Sequence, residues 1–345
     1  MKKLILPVIP AFLFASLFAS ESIQIIGRII NSETGEPIEM VNVFLANTLM
    51  GCATDRDGRF VIKDVPNGIY DLVAHHVGFE GANVRVDLLN RPNENWTLRL
   101  QPRILEGRQV RIEAEPPKEW IKMLNLFTRE FLGQSGNSRK CAILNPEYLN
   151  FQYDEPSGLL TASMDRALKI RNDALGYSIE LLLQKFEFSK SAVVYSIIPH
   201  FIDLSPSDPS ENQRWSKARQ RTYLGSFRHF MSCLAANRLE EGGFRVSEMK
   251  QGLYKDNVAP EIGVEPLPEF QDADHRFRRI HFDDCLRVGS PYFPDERAIA
   301  CMKVQEAIVD IKGNVYTEYA FYKSGYWSNE RVADLLPNEY SAEGE

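Results

Sequence analysis

"NVFLANTLMGCATDRDGRFVIKDVPNGIYDLVAHHVGFEG" (residues 42–81) is a series of short apolar stretches punctuated by turn residues. The period of those stretches decides the fold. Successive side chains of a strand point to opposite faces, so Val43 and Leu45, with Val41 just before them, share one side. Phe60 pairs with Ile62 in the same way, and Tyr70 with Leu72. A helix would space such residues by three and four. Between two of these stretches, Asp55-Arg56-Asp57-Gly58 reads as a hairpin turn with Gly58 at the left-handed position. The two aspartates also resemble the opening of a calcium loop. No acid stands at the twelfth position of such a loop and no helical pattern flanks it, so the reading is a turn.

The pattern continues outward. Ile23, Ile25, Gly27 and Ile29 fall on one face of "SIQIIGRII" (22–30), and Trp96, Leu98 and Leu100 on one face of "NWTLRLQP" (95–102). In "SETGEP" (32–37) Gly35 supplies a residue tolerant of positive φ and Pro37 fixes the exit. Many short strands with few helical signals predict an all-β sandwich over residues 22–101. Three stretches, "GRIINSETGEPIEMVNVFLAN" (27–47), "GCATDRDGRF" (51–60) and "VPNGIYDLVAHHVGF" (65–79), carry a family resemblance. Together they resemble the carboxypeptidase regulatory-like domain, the transthyretin-like sandwich appended to metallocarboxypeptidases and found before the plug of many TonB-dependent receptors. The resemblance implies a non-catalytic module for folding support or interaction and does not imply peptidase activity.

Ahead of this module, "MKKLILPVIPAFLFASLFASES" (1–22) sets Lys2 and Lys3 before an apolar run ending in small residues. That layout predicts a signal peptide over residues 1–20 and an exported chain. As a membrane anchor the run is short and is interrupted by Pro7 and Pro10. No cysteine follows it to take a lipid, and no later stretch is apolar enough to span a bilayer. The 345 residues are enough for two domains, each with its own core. A net charge of -7 disfavours nucleic acid as a partner. Cys52, Cys141, Cys233, Cys285 and Cys301 lack metal or redox spacing. Export permits disulfides, but an odd count leaves at least one thiol unpaired within the chain.

Residues 102–119, ending in the proline-rich "EAEPPKEW" (113–120), read as a linker into a helix. Trp120, Leu124, Phe127 and Phe131 recur at helical spacing, with Pro117 suited to the first turn and Gly133 to the stop. Alternating strands follow in "GLLTASM", "RALKIR", "GYSIELLLQKFEFS" and "AVVYSIIP", the last apolar enough for a central strand. "DLSPSDPSENQ" (203–213) reads as a loop before one long helix, with Leu224, Phe227, Met231 and Leu234 inward and Gly242-Gly243 at its end. The hairpin "AIVDIKGNVYTEY" turns at Gly313 and Asn314. Strands and a few helices without a βαβ rhythm predict an α+β domain over residues 120–340 and a multi-domain chain. "EFLGQSGNSRKCAILNPEYLNF", "IRNDALGYSIELLLQKFEF", "RTYLGSFRHFMSCL" and "GYWSNERVADLLPNEY" resemble the uncharacterised region that accompanies the regulatory-like module in a family of bacterial envelope proteins. The chain departs from that pattern after Tyr195, where Ser196 stands in place of the family's glycine. The resemblance implies an architecture and carries no activity.

Catalytic templates find no match. The histidines are His75, His76, His200, His229, His275 and His281, and none has a glutamate three positions on, as a zinc peptidase would need. His75 and His76 point to opposite faces of a strand. The neighbourhoods of Ser135 and Ser226 fall short of a nucleophile elbow. Cys141 has no evident base. Asp283 and Asp284 beside His281, or Glu330, would suit two-carboxylate glycosidase chemistry, although adjacent strand residues diverge. No catalytic, cofactor or metal residue is therefore assigned. Two surfaces are candidates for binding. Tyr326, Trp327, Glu330 and Arg331 in "SGYWSNER" (324–331) combine aromatics with charge as a sugar or peptide platform, unless the rings are core anchors. Arg214, Lys217, Arg219, Arg221 and Arg228 offer an anion-contact face for envelope glycan or lipid headgroups, unless they are a solvated helix face. The sequence thus predicts an exported, non-catalytic binding or scaffold protein of the periplasm or outer-membrane face, with an envelope protein or glycan as partner. The alternatives are a hydrolase carried by the rear domain and an accessory of an outer-membrane receptor.

Overall fold

The computed structural model describes residues 23–88, 95–103, 116–250, 253–254, 260–267 and 277–342. The predicted signal peptide, most of the predicted linker and His275 lie outside the described residues. The chain is mostly β, with three α-helices among the described residues.

Seven strands form the front module: β1 (Ile23–Asn31), β2 (Asn42–Leu45), β3 (Gly51–Ala53), β4 (Arg59–Val65), β5 (Ile69–His75), β6 (Ala82–Asp87) and β7 (Asn95–Leu100). They pair as two sheets, β4-β1-β7 and β3-β2-β5-β6, with β1 and β7 parallel. The inward residues predicted from alternation fill the space between them. Ile25, Ile29, Val43, Leu45, Phe60, Ile62, Leu72 and Leu98 belong to one buried cluster. Gly58 has φ +71°, and a Cβ there would lie 2.4 Å from the Ile29 carbonyl oxygen. Asp55 accepts from the Asp57 and Arg59 amides through Oδ1. The aspartate side chain thus builds the turn from within the chain.

The rear region opens with α1 (Lys118–Leu132). Pro117 stands at the N-cap, one position before the first turn, and Gly133 ends the helix at φ 91°. Phe127 and Phe131 stack at 4.7 Å and are fully buried. Beneath them lies a six-stranded sheet of β8 (Cys141–Ile143), β9 (Asn150–Asp154), β10 (Leu159–Ser163), β11 (Leu168–Asn172), β12 (Tyr177–Phe188) and β13 (Val193–Asp203). β12 organises it, pairing β11 and β10 towards its two ends and β13 along its length. β13 therefore pairs with one strand of the sheet, at an edge and not at the predicted centre. Its apolar content has another cause, described below.

The predicted long helix is two helices, α2 (Pro209–Tyr223) and α3 (Phe227–Ala235). Gly225 breaks it at φ +81°, where a Cβ would lie 2.5 Å from Tyr292 Cβ. Ser226 then caps α3, its side chain accepting from the His229 amide. α2 starts inside the segment read as a loop. Asp208 accepts from the Ser210 and Glu211 amides while Glu211 reaches back to the Ser207 amide, so side chains satisfy amides that lack helical partners. α3 ends at Ala236, and Asn237 has φ 55°, before the two glycines expected to stop it.

α3 packs over two further sheets. One is formed by β14 (Arg245–Lys250), β15 (Leu253–Tyr254), β18 (Cys285–Gly289), β19 (Ala298–Met302) and β21 (Phe321–Gly325). The other holds β16 (Ile262–Pro266), β17 (Phe277–Phe282) and β20 (Ala307–Asp310). Phe230, Met231, Ile280, Leu286, Val288 and Trp327 are buried together in this third core. Antiparallel register sets Cys285 opposite Cys301, and the two form a disulfide.

Candidate functional site

The front module meets the rear region through the turn after β2. Asn47 donates its amide to the Pro199 carbonyl at 2.7 Å, and the Phe201 amide donates to the Thr48 carbonyl at 2.9 Å. The turn thus continues the open edge of β13, which would otherwise leave strand hydrogen-bonding groups unpaired. Beside it the Phe44 ring stacks on His200 at 4.8 Å. A Cβ on Gly51 would approach His200 Nε2 to 2.7 Å, so glycine is what lets the imidazole lie flat there. Burial holds His200 below the usual histidine range. This contact explains the apolar, buried end of an edge strand.

The other side of the same turn holds the C-terminal segment. The Asn338 amide donates to the Asn47 carbonyl at 2.8 Å, and the Leu49 amide to Glu339 Oε1 at 2.9 Å. Arg228 clamps that segment from α3. Its guanidinium donates to the carbonyls of Lys312, Leu336, Pro337, Asn338 and Tyr340, at 3.2, 3.3, 2.8, 2.8 and 3.0 Å. Those five bonds use the full complement of guanidinium N–H groups. Asp310, held by Asn314 and by the Tyr316 hydroxyl, supplies the nearby negative charge.

These contacts frame a cleft of about 910 Å³ between the front module, β13 and the segment from Asp310 to Phe321. Tyr70, Tyr195, Tyr316 and Tyr319 line it together with Arg85, Lys312, Lys323 and several carboxylates. A second cavity of about 430 Å³ adjoins it and shares Thr222, Glu330 and Asp334. Glu330 sits at the start of α3, where the Phe227 amide donates to both its oxygens at 2.9 and 3.2 Å, and Lys323 Nζ lies 3.7 Å away. Its side chain keeps 21% of its surface open. Burial nevertheless pushes its carboxyl up to about 7, against the pull of Lys323. Asp334 accepts from Ser135 and Asn137, both at 2.8 Å, and burial raises its carboxyl as well. Burial thus favours the protonated form of both carboxyls relative to water, most strongly at Glu330.

Of the platform read from sequence, Glu330 and Arg331 line the main cleft and Tyr326 the second cavity. Trp327 is completely buried, with its indole N–H donating to the Gly225 carbonyl at 3.0 Å, so it has no face to offer a ligand. The five basic residues do not form one face. Arg214, Lys217 and Arg221 are exposed on α2. Arg219 turns inward, donating to the Leu175 carbonyl and lying 4.1 Å over the Tyr177 ring, and Arg228 is the clamp. Positions 214, 217 and 221 share one helical face, whereas 219 falls on the other side beside Trp215.

The remaining catalytic candidates have structural partners. Ser226 Oγ is engaged as the α3 cap. Ser135 Oγ donates to a carboxylate. Cys141, its thiol pushed up to about 12 chiefly by burial, contacts the Asn137 carbonyl at 3.4 Å. Asp283 and Asp284 are exposed in the turn between β17 and β18, where Asp284 has φ 52°. Among the described residues no group of three or more His, Cys, Asp or Glu could hold a metal ion, and no helix is long and apolar enough to cross a membrane. Asp334 and Tyr319 carry no sequence signal of their own. Only the fold brings them to the cleft.

No curated protein matches the chain. Among solved structures, a "putative carbohydrate binding protein" from Bacteroides uniformis is 12% identical, covering 52% of this chain and 78% of its own, with a TM-score of 0.17. A 9R-lipoxygenase from Cyanothece is 11% identical, covering 63% of this chain and 49% of its own, with a TM-score of 0.16. At such scores neither likeness bears on the fold or the site. The family comparison concerns the front of the chain, where two sheets close over one core: residues 25–112 match the CarboxypepD_reg-like domain, and the front module is a domain of that family.

Proposed function

We propose that the protein is an exported, non-catalytic binding protein of the bacterial cell envelope, acting in the periplasm or on the outer-membrane face. In this reading residues 1–20 are a signal peptide, 22–101 the regulatory-like sandwich, 102–119 a linker and 120–340 an α+β region of its own. The carrying observation is the cleft of about 910 Å³ at the junction, whose walls come from both the front module and the rear region. A site shared in this way gives the sandwich a role that needs no chemistry of its own: it completes a binding surface. Tyrosines interspersed with charged and amide side chains suit a glycan or a protein segment of the envelope. The net charge of -7 speaks against nucleic acid. Fractionation of the native cell, followed by co-sedimentation of the mature protein with envelope polysaccharide and with envelope protein, tests this. Recovery in the envelope with saturable co-sedimentation is expected. A cytoplasmic location, or no association with either fraction, would refute it.

A second reading rests on Glu330. A carboxyl raised to about 7 that lines both cavities, and that feels the charge of Asp334, suits a general acid in glycoside hydrolysis. Release of reducing ends from a polysaccharide, abolished by Glu330→Gln, would favour it over binding alone.

A further inference from the structure

One imidazole is sealed into the seam between the front module and the rear region. His200 on β13 is 7% exposed, and its two chain neighbours carry the seam: the Pro199 carbonyl accepts from the Asn47 amide, and the Phe201 amide donates to the Thr48 carbonyl. Its ring lies 13° from parallel to Phe44. Nδ1 is shielded from solvent and has no hydrogen-bond partner. A neutral imidazole can leave a nitrogen there as an unused acceptor. A protonated one must donate from both nitrogens, and a charged donor shut away from water and from any acceptor is far more costly.

The charges packed around the ring give it little help. On β12, register sets Glu180 opposite His200 on the same face. Both Glu180 oxygens are already engaged: Lys169 Nζ of β11 lies 3.0 Å from Oε1, and Asn42 Nδ2 of β2 donates to Oε2 at 3.2 Å. β3 brings only Gly51 against the ring. β5 places His75 beside Asn42, within reach of the charges of Arg103, His76 and Glu180. Arg103 itself crosses the seam, its guanidinium donating to the Asp165 carbonyl. On the far side of the turn stands Glu339, which accepts from the Leu49 amide. Burial, outweighing the pull of Glu180, holds both His200 and His75 below the usual histidine range. Burial raises the Glu339 carboxyl, so its titration works in the opposite direction.

We propose that the seam is a pH-operated latch: neutral His200 lets β13 hold the front module, and its protonation releases that module and opens the cleft the two share. The front wall of that cleft includes Ala46, Asn47 and Thr48, and the facing wall Pro199 and Phe201, so the latch and the cleft use the same chain segments. The sign follows from linkage. The released ring binds its proton in the ordinary range, near 6.5, and the docked ring resists it, so docking is complete above that range and is lost as pH falls through it. Each histidine that stays neutral while docked weakens docking by up to about tenfold between about pH 7.5 and 5.5.

Hydrogen exchange of the full mature chain tests this, read at the Asn47 and Phe201 amides, corrected for the intrinsic effect of pH and referred to the Ile179 amide inside the rear sheet. Protection across the seam should fall several-fold between about pH 7.5 and 5.5 while Ile179 stays protected. His200→Phe keeps a flat ring on Phe44 without a titrating proton and should remove most of the fall, His75→Gln should remove a smaller part, and Glu339→Gln should steepen it. His281→Gln, at an exposed position on β17, should change nothing. Protection independent of pH in the unaltered chain, or an undiminished fall in His200→Phe, would overturn the latch. Should His200→Phe fail to dock even at pH 7.5, ring titration of His200 by NMR in the unaltered chain decides. Titration below the ordinary range, together with loss of protection, supports the latch, and titration within or above that range overturns it.

Discussion

Replacing Arg228 with alanine would remove the clamp that joins α3 to the C-terminal segment. The guanidinium makes five hydrogen bonds to carbonyls, three of them at 3.0 Å or less. A net contribution of about 1 kcal/mol per bond would sum to about 5 kcal/mol. Removing one partner of a buried charged arrangement costs about 3–5 kcal/mol, because Asp310 would also lose the cation beside it. The two routes agree on a loss of about 3–5 kcal/mol. The carbonyls could recover part of it by fraying into water, so hydrogen exchange over residues 336–340 should rise together with the drop in urea stability. Arg228→Lys should recover only a fraction, since an ammonium cannot fork to five acceptors. A loss below about 1 kcal/mol, with unchanged exchange in the segment, would refute the clamp.

Gly176→Ala should destabilise by about 2 kcal/mol or more in the same urea assay, since φ is +73° and the new Cβ would lie 2.3 Å from the Trp215 ring. A loss within about 0.5 kcal/mol would mean that α2 does not pack as described. Glu330 gives a pH signature. An acid whose folded value is raised binds its proton more tightly in the folded state. Stability should therefore fall as pH climbs from the ordinary glutamate range to about 7, and then level off. Glu330→Gln should flatten that slope in thermal melts, leaving the contribution of Asp334, which runs in the same direction. An unaltered slope would remove the buried-acid assignment. Reducing Cys285–Cys301, which closes a loop with a sequence separation of 16, should cost about 3 kcal/mol. Equal unfolding curves with and without reductant, once disulfide cleavage is confirmed by thiol labelling, would contradict this.

The sandwich was legible because its signals are local. Alternation set Ile25, Val43, Phe60 and Leu72 inward, and the Asp55–Gly58 turn carries its own side-chain and backbone logic. α1 was legible for the same reason, through one aromatic stripe and a terminal glycine. The rest depends on contacts far apart in sequence. Apolar spacing runs through Gly225 unbroken, and only Tyr292 packing against that glycine makes the helix break necessary. The start of α2 was written in Asp208 and Glu211, but the surrounding serines and prolines masked this cap as a loop. β13 has the composition of a central strand because a turn 150 residues earlier covers its edge. Arg228 and Arg221 are alike as sequence, yet one is buried against five carbonyls and the other faces solvent. The site shares that difficulty: Glu330 was readable as a candidate, whereas Asp334, Tyr319 and the cleft between them exist only once the modules meet.

The central claim is that the junction cleft binds an envelope component without transforming it. Co-sedimentation of the mature chain with envelope polysaccharide and with envelope protein, followed by mass analysis of the recovered material, tests both halves together. The account predicts saturable retention by one of the two and an unaltered partner. A shortened product, or retention by neither, would contradict it.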